Sequence, residues 1–447
     1  MDNNNRQTNK RGYNKKKNPA MITVLSLAVI ATLLILGIYI WKSGSFGNPA
    51  EDDITPTPTA EVTPTPEITA TPVPTEAPSP TSTPTPVPSP TPTPMARLEF
   101  EPVKALYLAS GSVQSPSKLD HYIDLANRTE INAYVIDIKS DDGTILYKSE
   151  LPDVIAANAH KADFDIRKVI KKFHDNNIRV IGRIVTFKDT KITKYKPELA
   201  IKYNGQVFQQ LDSGGRYSQW LDPTKKGSWE YVTSVVQEAV RFGFDEIQFD
   251  YIRFPETSLY DYDLKLEDGK ERREYIEDFL AYVRQELPDD VVLSADVFGM
   301  PLISKSDYGE IGQLLESIGW DLEYISAMIY PSHYANSAPK GKTMGNGVGQ
   351  TINGVKFTHP DLEPYGIVYN TLMAGKKRIE AVDGYTLKSR PYLQGFTATY
   401  LPEGYWMEYG VEAYREQIKA VYDAGYDEWI FWNAPNNYVE DAFLPEE

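Results

Sequence analysis

Eight short β-rich apolar runs, separated by stretches with helical apolar spacing, fill residues 103 to 434 and leave this chain few architectures. The runs are Val103 to Ala109, Asn132 to Lys139, Arg179 to Phe187, Glu246 to Phe254, Val291 to Phe298, Tyr324 to Tyr330, Tyr392 to Thr399 and Glu428 to Asn433. Helical spacing fits 117–128, 164–175, 228–241, 271–286, 308–318, 366–380 and 411–423 between them. Strands alternating with helices build βαβ units around a parallel sheet, and eight of them predict an α/β fold, a closed (β/α)8 TIM barrel. The alternative is an open doubly wound sheet, because little chain follows the eighth run to supply a final helix. Arg-Phe-Gly-Phe-Asp-Glu before the fourth run echoes Asp-Ala-Gly-Tyr-Asp-Glu before the eighth, and in both a Gly is placed to end the helix.

The barrel accounts for residues 97–447; what precedes it cannot add to a core. Residues 1–18 form a basic tail with Arg6, Lys10, Arg11, Lys15, Lys16 and Lys17. Residues 19–41 carry no charge and are long enough to span a bilayer as a helix. Lys42 and then Glu51, Asp52 and Asp53 follow, so the positive-inside rule puts the N-terminus in the cytoplasm and the barrel outside, on a single-pass anchor. Residues 42–96 form a disordered linker dominated by Thr-Pro, Ser-Pro and Val-Pro dipeptides, which favour extended polyproline geometry and act as a stalk. From position 96 onward 39 basic residues face 55 acidic ones, a balance that disfavours nucleic acid as a partner and disfavours anionic polymers unless a local basic patch exists.

The fourth run ends by presenting a carboxylate at its tip, where barrel enzymes keep catalytic acids. Side chains alternate along a strand, so Ile247, Phe249 and Tyr251 should face the helices while Glu246, Gln248 and Asp250 face the barrel interior. The fifth run repeats the pattern, with Leu293, Ala295 and Val297 outward and Ser294 and Asp296 inward. Asp250 and Asp296 thus sit on neighbouring strands near the top. Two carboxylates flanking one bond, one ionised and one protonated, are what glycoside hydrolysis requires. Asp250 is assigned as nucleophile and Asp296 as acid/base. Arg253 has the opposite parity to Asp250 and reaches the site only if the strand breaks near Ile252.

On the second run Asp137 and Lys139 should point inward and Tyr134, Ile136 and Ile138 outward. With Arg183 and Glu246 they are expected to form an ion-pair network, since buried charges must be paired or used. Asp137 and Lys139 are also candidate substrate contacts, as are Arg253, Trp220, Asp222, Tyr330, His333, Trp432 and Asn433, drawn from strand ends and from the long loops 188–227 and 331–365. The five histidines are scattered without metal-ligand spacing, cysteine is absent, and no phosphate loop, dinucleotide fingerprint or Gly-x-Ser-x-Gly elbow occurs. No cofactor or metal is expected.

Gly-Phe-Asp-Glu-Ile-Gln-Phe-Asp-Tyr-Ile-Arg-Phe-Pro at 243–255 resembles the signature of a glycosyl hydrolase domain found in bacterial surface proteins, a family similar to α-amylase-type barrels. Val135-Ile136-Asp137-Ile138-Lys139, Arg183 to Phe187, Trp220-Leu221-Asp222-Pro223 and Trp429 to Ala434 extend the resemblance over roughly 103 to 440. It implies a glycosidase-like barrel with a strand-four nucleophile, here Asp250. Amylase-like barrels place a Glu acid on strand five, where this chain has Asp296. The function expected is a membrane-anchored extracellular glycoside hydrolase cleaving a cell-surface or environmental polysaccharide. A non-catalytic carbohydrate- or cell-wall-binding barrel on a stalk is the alternative.

Overall fold

A computed structural model describes residue 98 and residues 101–211, 215–256, 262–267 and 269–443. The basic tail, the membrane span and the linker expected before residue 97 lie outside them. Among the described residues no helix is long and apolar enough to cross a membrane.

Eight parallel strands form the centre: β1 (Lys104–Leu108), β2 (Ala133–Lys139), β3 (Arg179–Val185), β4 (Glu246–Asp250), β5 (Val292–Phe298), β6 (Tyr324–Ile329), β7 (Tyr392–Gln394) and β8 (Trp429–Trp432). Each pairs with the next in sequence, and β8 pairs with β1 through Lys104↔Trp429, Ala105↔Ile430 and Leu106↔Phe431. The ring is closed, so the open-sheet alternative is excluded. Helices α1 (Pro116–Arg128), α2 (Ile166–His174), α3 (Lys226–Phe242), α4 (Arg272–Gln285), α5 (Pro364–Ile379) and α6 (Val411–Asp423) lie within two residues of the expected spans. Gly243 ends α3 in the left-handed conformation (φ 102°), and Gly425 takes the same role after α6 (φ 81°).

Two expectations fail for local reasons. No helix forms over 308–318: Gly309, Glu310 and Gly312 take positive φ, and the Asp307 carboxylate accepts from the N–H groups of Ile311, Gly312 and Gln313. Those donors are thereby diverted from a helical ladder. The seventh strand stops at Gln394 rather than Thr399, and its start is split off as Lys388–Ser389, which pairs with Tyr324–Ile325. Pro391 interrupts it because it has no N–H for the sheet.

Apolar residues fill both faces of the ring, as a barrel buried on each side requires. Leu106, Tyr134, Ile136, Val180, Ile247, Phe249 and Phe431 pack toward the helices, while Ala105, Val135, Ile181 and Ile430 pack inside. One side of the interior is polar, and the parity of β4 sets out its layers. Glu246 accepts from Arg390 Nη1 at 2.8 Å on both oxygens and from Ser294 Oγ at 2.5 Å. Above it Gln248 bonds Ser326 Oγ (3.2 Å) and the Tyr392 hydroxyl (2.6 Å), and Asp250 stands at the mouth.

Glu246 and Arg390 are both fully buried, so removal of one leaves an uncompensated charge. Arg390→Met should lower unfolding stability by about 3–5 kcal/mol, and the double variant E246Q/R390M should recover part of that loss. Denaturant unfolding of E246Q, R390M and the double variant measures it; a double-variant loss equal to the sum of the two single losses would mean the pair is not coupled.

Candidate active site

All eight strands deliver a side chain to one cavity of about 520 Å³ at the C-terminal end of the barrel. Tyr107, Asp137, Arg183 and Asp250 come from β1 to β4; Asp296 and Phe298 from β5; Met328 from β6 with Tyr330 just beyond it; Tyr392 and Trp432 from β7 and β8. This is the end at which barrels of this type place their chemistry.

Arg183 organises the charges. Its Nη1 donates to Asp137 Oδ1 (2.5 Å), and its Nη2 and Nε donate to Asp250 Oδ2 (2.5 and 3.0 Å). The Tyr107 hydroxyl donates to Asp137 Oδ2 at 2.7 Å. Asp250 Oδ1 accepts from the Tyr251 N–H at 2.6 Å, so both oxygens of this carboxylate are bonded. Asp296 is treated differently. It is 2% exposed, its Oδ1 has no hydrogen-bond partner among the described residues, and its Oδ2 lies 3.9 Å from Arg183 Nε. Burial, and next the charge of Asp250, hold its carboxyl well above the usual carboxylate range, against the pull of Arg183.

Tyr251 adopts φ 48°, a strained conformation for an aromatic residue, and β4 ends immediately before it. The break undoes strand parity. Tyr251 therefore lines the cavity instead of packing against the helices with Ile247 and Phe249, and Arg253 turns in beside it, the outcome expected only if the strand broke here. Tyr330, Trp432 and Phe396 form an aromatic wall, with Tyr330 and Trp432 stacked at 5.8 Å and Phe396 edge-on to both. His333 packs on Tyr330 at 5.3 Å, and burial holds its imidazole below the usual value, favouring the neutral ring.

The cavity thus unites Asp137, Arg253, Asp250, Asp296, Tyr330, His333 and Trp432 among the residues anticipated from the sequence. Lys139 is not there. A register shift between Asp137 and Lys139 reverses its parity, and Nζ pairs instead with Asp189 Oδ2 (2.8 Å) and Thr186 O (3.1 Å) toward the helix layer. The single network expected around Asp137, Lys139, Arg183 and Glu246 is therefore three separate ones. Trp220 is buried behind the cavity, its indole N–H on Gln210 Oε1 (2.9 Å) and its ring against Tyr251. Asp222 accepts from Thr224 N and Oγ1 and organises the entry to α3. Asn433 ties Gly395 O to Asn437 and braces the turn after β8. Asn433 and Asp222, like Trp220, do not line the cavity.

Tyr107, Tyr392, Asp141 and Gln313 were not singled out from the sequence. The parity of Val103, Ala105 and Tyr107 on the first strand could have shown the first of these. Gln313 lies on the segment read as a helix, and bonds Ile252 O at 3.3 Å. Among the described residues no group of three or more His, Cys, Asp or Glu side chains is disposed to hold a metal ion.

The raised pKa of Asp296 has a signed consequence. Its contribution to stability is fully present below the unfolded value of about 3.9 and is lost as pH rises through the folded one. Asp296→Asn removes that loss, so its melting temperature relative to the parent should be more favourable at pH 7 than at pH 4. An offset equal at both pH values would show that Asp296 ionises normally.

A hypothetical protein from Ruminiclostridium thermocellum is 52% identical, over 43% of this chain and 97% of that one, with a TM-score of 0.39. The glycoside hydrolase domain of PgaB (BpsB) from Bordetella bronchiseptica is similar over 78% of this chain and 100% of that one, at 12% identity and a TM-score of 0.52, which is a likeness of fold alone. The glycoside hydrolase domain of PelA from Pseudomonas aeruginosa matches over 77% and 98%, at 11% identity and a TM-score of 0.39. No functionally curated protein matches the chain. Residues 105–438, most of the chain and nearly all of the barrel, match the family described as "Putative glycosyl hydrolase domain", and the chain belongs to that family.

Proposed function

We propose that this chain hydrolyses glycosidic bonds of a cell-surface or environmental polysaccharide, with Asp250 as nucleophile and Asp296 as general acid and base. The observation that carries this reading is the contrast between two carboxyl groups lining one cavity. Asp250 accepts hydrogen bonds on both oxygens from a guanidinium and a backbone N–H, the surroundings of an ionised group. Asp296 is buried, its Oδ1 is unbonded among the described residues, and burial with the charge of Asp250 raises its pKa, which favours the protonated form. Environments that push two carboxyls apart assign the acid and the base. An Asp250 oxygen attacks the anomeric carbon as the glycosidic bond breaks, and the Asp296 proton passes to the departing oxygen. Asp296 then takes a proton from water, whose oxygen displaces Asp250 from the sugar. Stacked Tyr330 and Trp432 offer apolar faces to the sugar ring.

Asp250→Asn should lower turnover by at least about 10³-fold while the protein stays folded, because the amide cannot act as the nucleophile. Asp296→Asn should cost kcat/KM little on aryl glycosides with good leaving groups, lower kcat on them because the second step loses its base, and fail on polysaccharide, which also needs protonation. Reducing-sugar release and aryl-glycoside turnover, measured alongside melting temperature, test both. Turnover unchanged in Asp250→Asn would sink the assignment. Glycan binding without hydrolysis by the parent would instead identify a binding barrel displayed on a stalk.

The basic residues before Met21, the uncharged stretch 19–41 and the Pro-rich segment after it support an anchored protein with its barrel outside the cell. Protease added to intact cells should then release the barrel. Release only after lysis would reverse the orientation.

A further inference from the structure

Arg253 lines the cavity beside the two carboxyls and is only 9% exposed, yet among the described residues it has no carboxylate partner of the kind a buried cation requires. Its guanidinium carbon lies 5.1 Å from the Trp220 ring centre, 5.2 Å from that of Tyr251 and 5.0 Å from that of Phe298, a box of three aromatic faces. Its one hydrogen bond among the described residues runs from Nη1 to the neighbouring Phe254 carbonyl at 3.1 Å. It has no ion pair among the described residues, whereas Arg183 holds two carboxylates at 2.5 Å and Arg390 holds Glu246 at 2.8 Å.

A guanidinium carries five N–H donors in a fixed fork. Arg253 lines the cavity, and among the described residues only its Nη1 is hydrogen-bonded, which leaves the rest of the fork for a ligand there. Aromatic faces hold such a cation in place without consuming its donors, and a planar carboxylate fits the fork. The charge of the cavity permits an anion there even though the chain as a whole is acidic. With Asp296 protonated, Asp137 and Asp250 share Arg183, Asp141 lies 3.4 Å from Lys188 Nζ, and Arg253 adds one further positive charge, so the lining is close to neutral rather than acidic. A near-neutral lining removes locally the repulsion that the overall acidic charge would impose on an anionic polymer.

We propose that the polysaccharide contains an acidic sugar and that Arg253 receives its carboxylate next to the bond being cleaved. This rests on the hydrolase reading above for the word cleaved, and on the cavity alone for binding. The residue acts as a specificity determinant: a neutral sugar leaves its donors unpaired.

The test titrates the full-length chain in detergent by calorimetry with two matched pairs of sugars. Trigalacturonate is compared with galactotriose, and the N-acetylglucosamine–N-acetylmuramate disaccharide with diacetylchitobiose. The first pair places the carboxylate on the ring and the second on a lactyl ether, so the pair that responds identifies its source. The acidic member of one pair should bind at least about tenfold tighter, and Arg253→Met should reduce that preference below about threefold. Arg253→Lys keeps the charge without the fork and should fall between; it decides the matter if Arg253→Met does not fold. Equal binding within both pairs, or an acid preference that survives in both variants, overturns the inference. Hydrolysis of neutral glycans with no acid preference overturns it alone, and acid-selective binding without turnover overturns only the hydrolase reading.

Discussion

Arg183 donates to Asp137 on one neighbouring strand and to Asp250 on the other, and this bridge governs both the geometry and the charge of the cavity. It clamps the C-terminal ends of β2, β3 and β4 at one level of the barrel. It also uses its donors on those two carboxylates, leaving Asp296 on β5 at 3.9 Å and without a hydrogen bond on Oδ1. One cation shared among three acids cannot satisfy all of them. The acid it leaves out is the one whose carboxyl is held well above the usual range by burial and the charge of Asp250, the asymmetry on which the proposed mechanism draws.

Below the cavity the interior departs from the aliphatic layers usual in barrels. Glu246 with Arg390, and Gln248 with Tyr392, occupy positions that Val or Ile would fill elsewhere. Buried ion pairs are weak sources of stability, but an unpaired buried charge is costly. These residues are consequently bound to one another, and to one register between strands far apart in sequence. The largely apolar outer face, where helices pack against Ile247, Phe249 and Phe431, carries the hydrophobic stabilisation that tolerates them.

Irregular backbone gathers around the same end. Tyr251 at positive φ ends β4, the shift between Asp137 and Lys139 ends regular alternation in β2, and the Asp307 turn replaces a helix after β5. Each moves a side chain across the barrel wall: Arg253 inward, Lys139 outward, Gln313 to the rim. Strain of this kind concentrates where a site must be built against the local preference of the strand.

Period and order were legible in the sequence. Period-two runs separated by helical spacing specified eight parallel strands, and parity along each run placed Asp137, Asp250 and Asp296 inside, because alternation is a property of the extended backbone itself. Ring closure was expected from the count of eight but not compelled by it, since it depends on hydrogen bonds such as that between residues 103 and 429, at opposite ends of the barrel sequence. Nor were the fates of Lys139, Trp220, Asp222 and Asn433, polar and aromatic residues whose neighbours are contributed by other segments. A one-residue bulge reverses every facing assignment beyond it without altering composition or periodicity in any way a sequence displays. The chain therefore dictated which carboxyls could meet. Only the folded barrel, by placing a single guanidinium between two of them and the third in a dry pocket, decided how differently they are held.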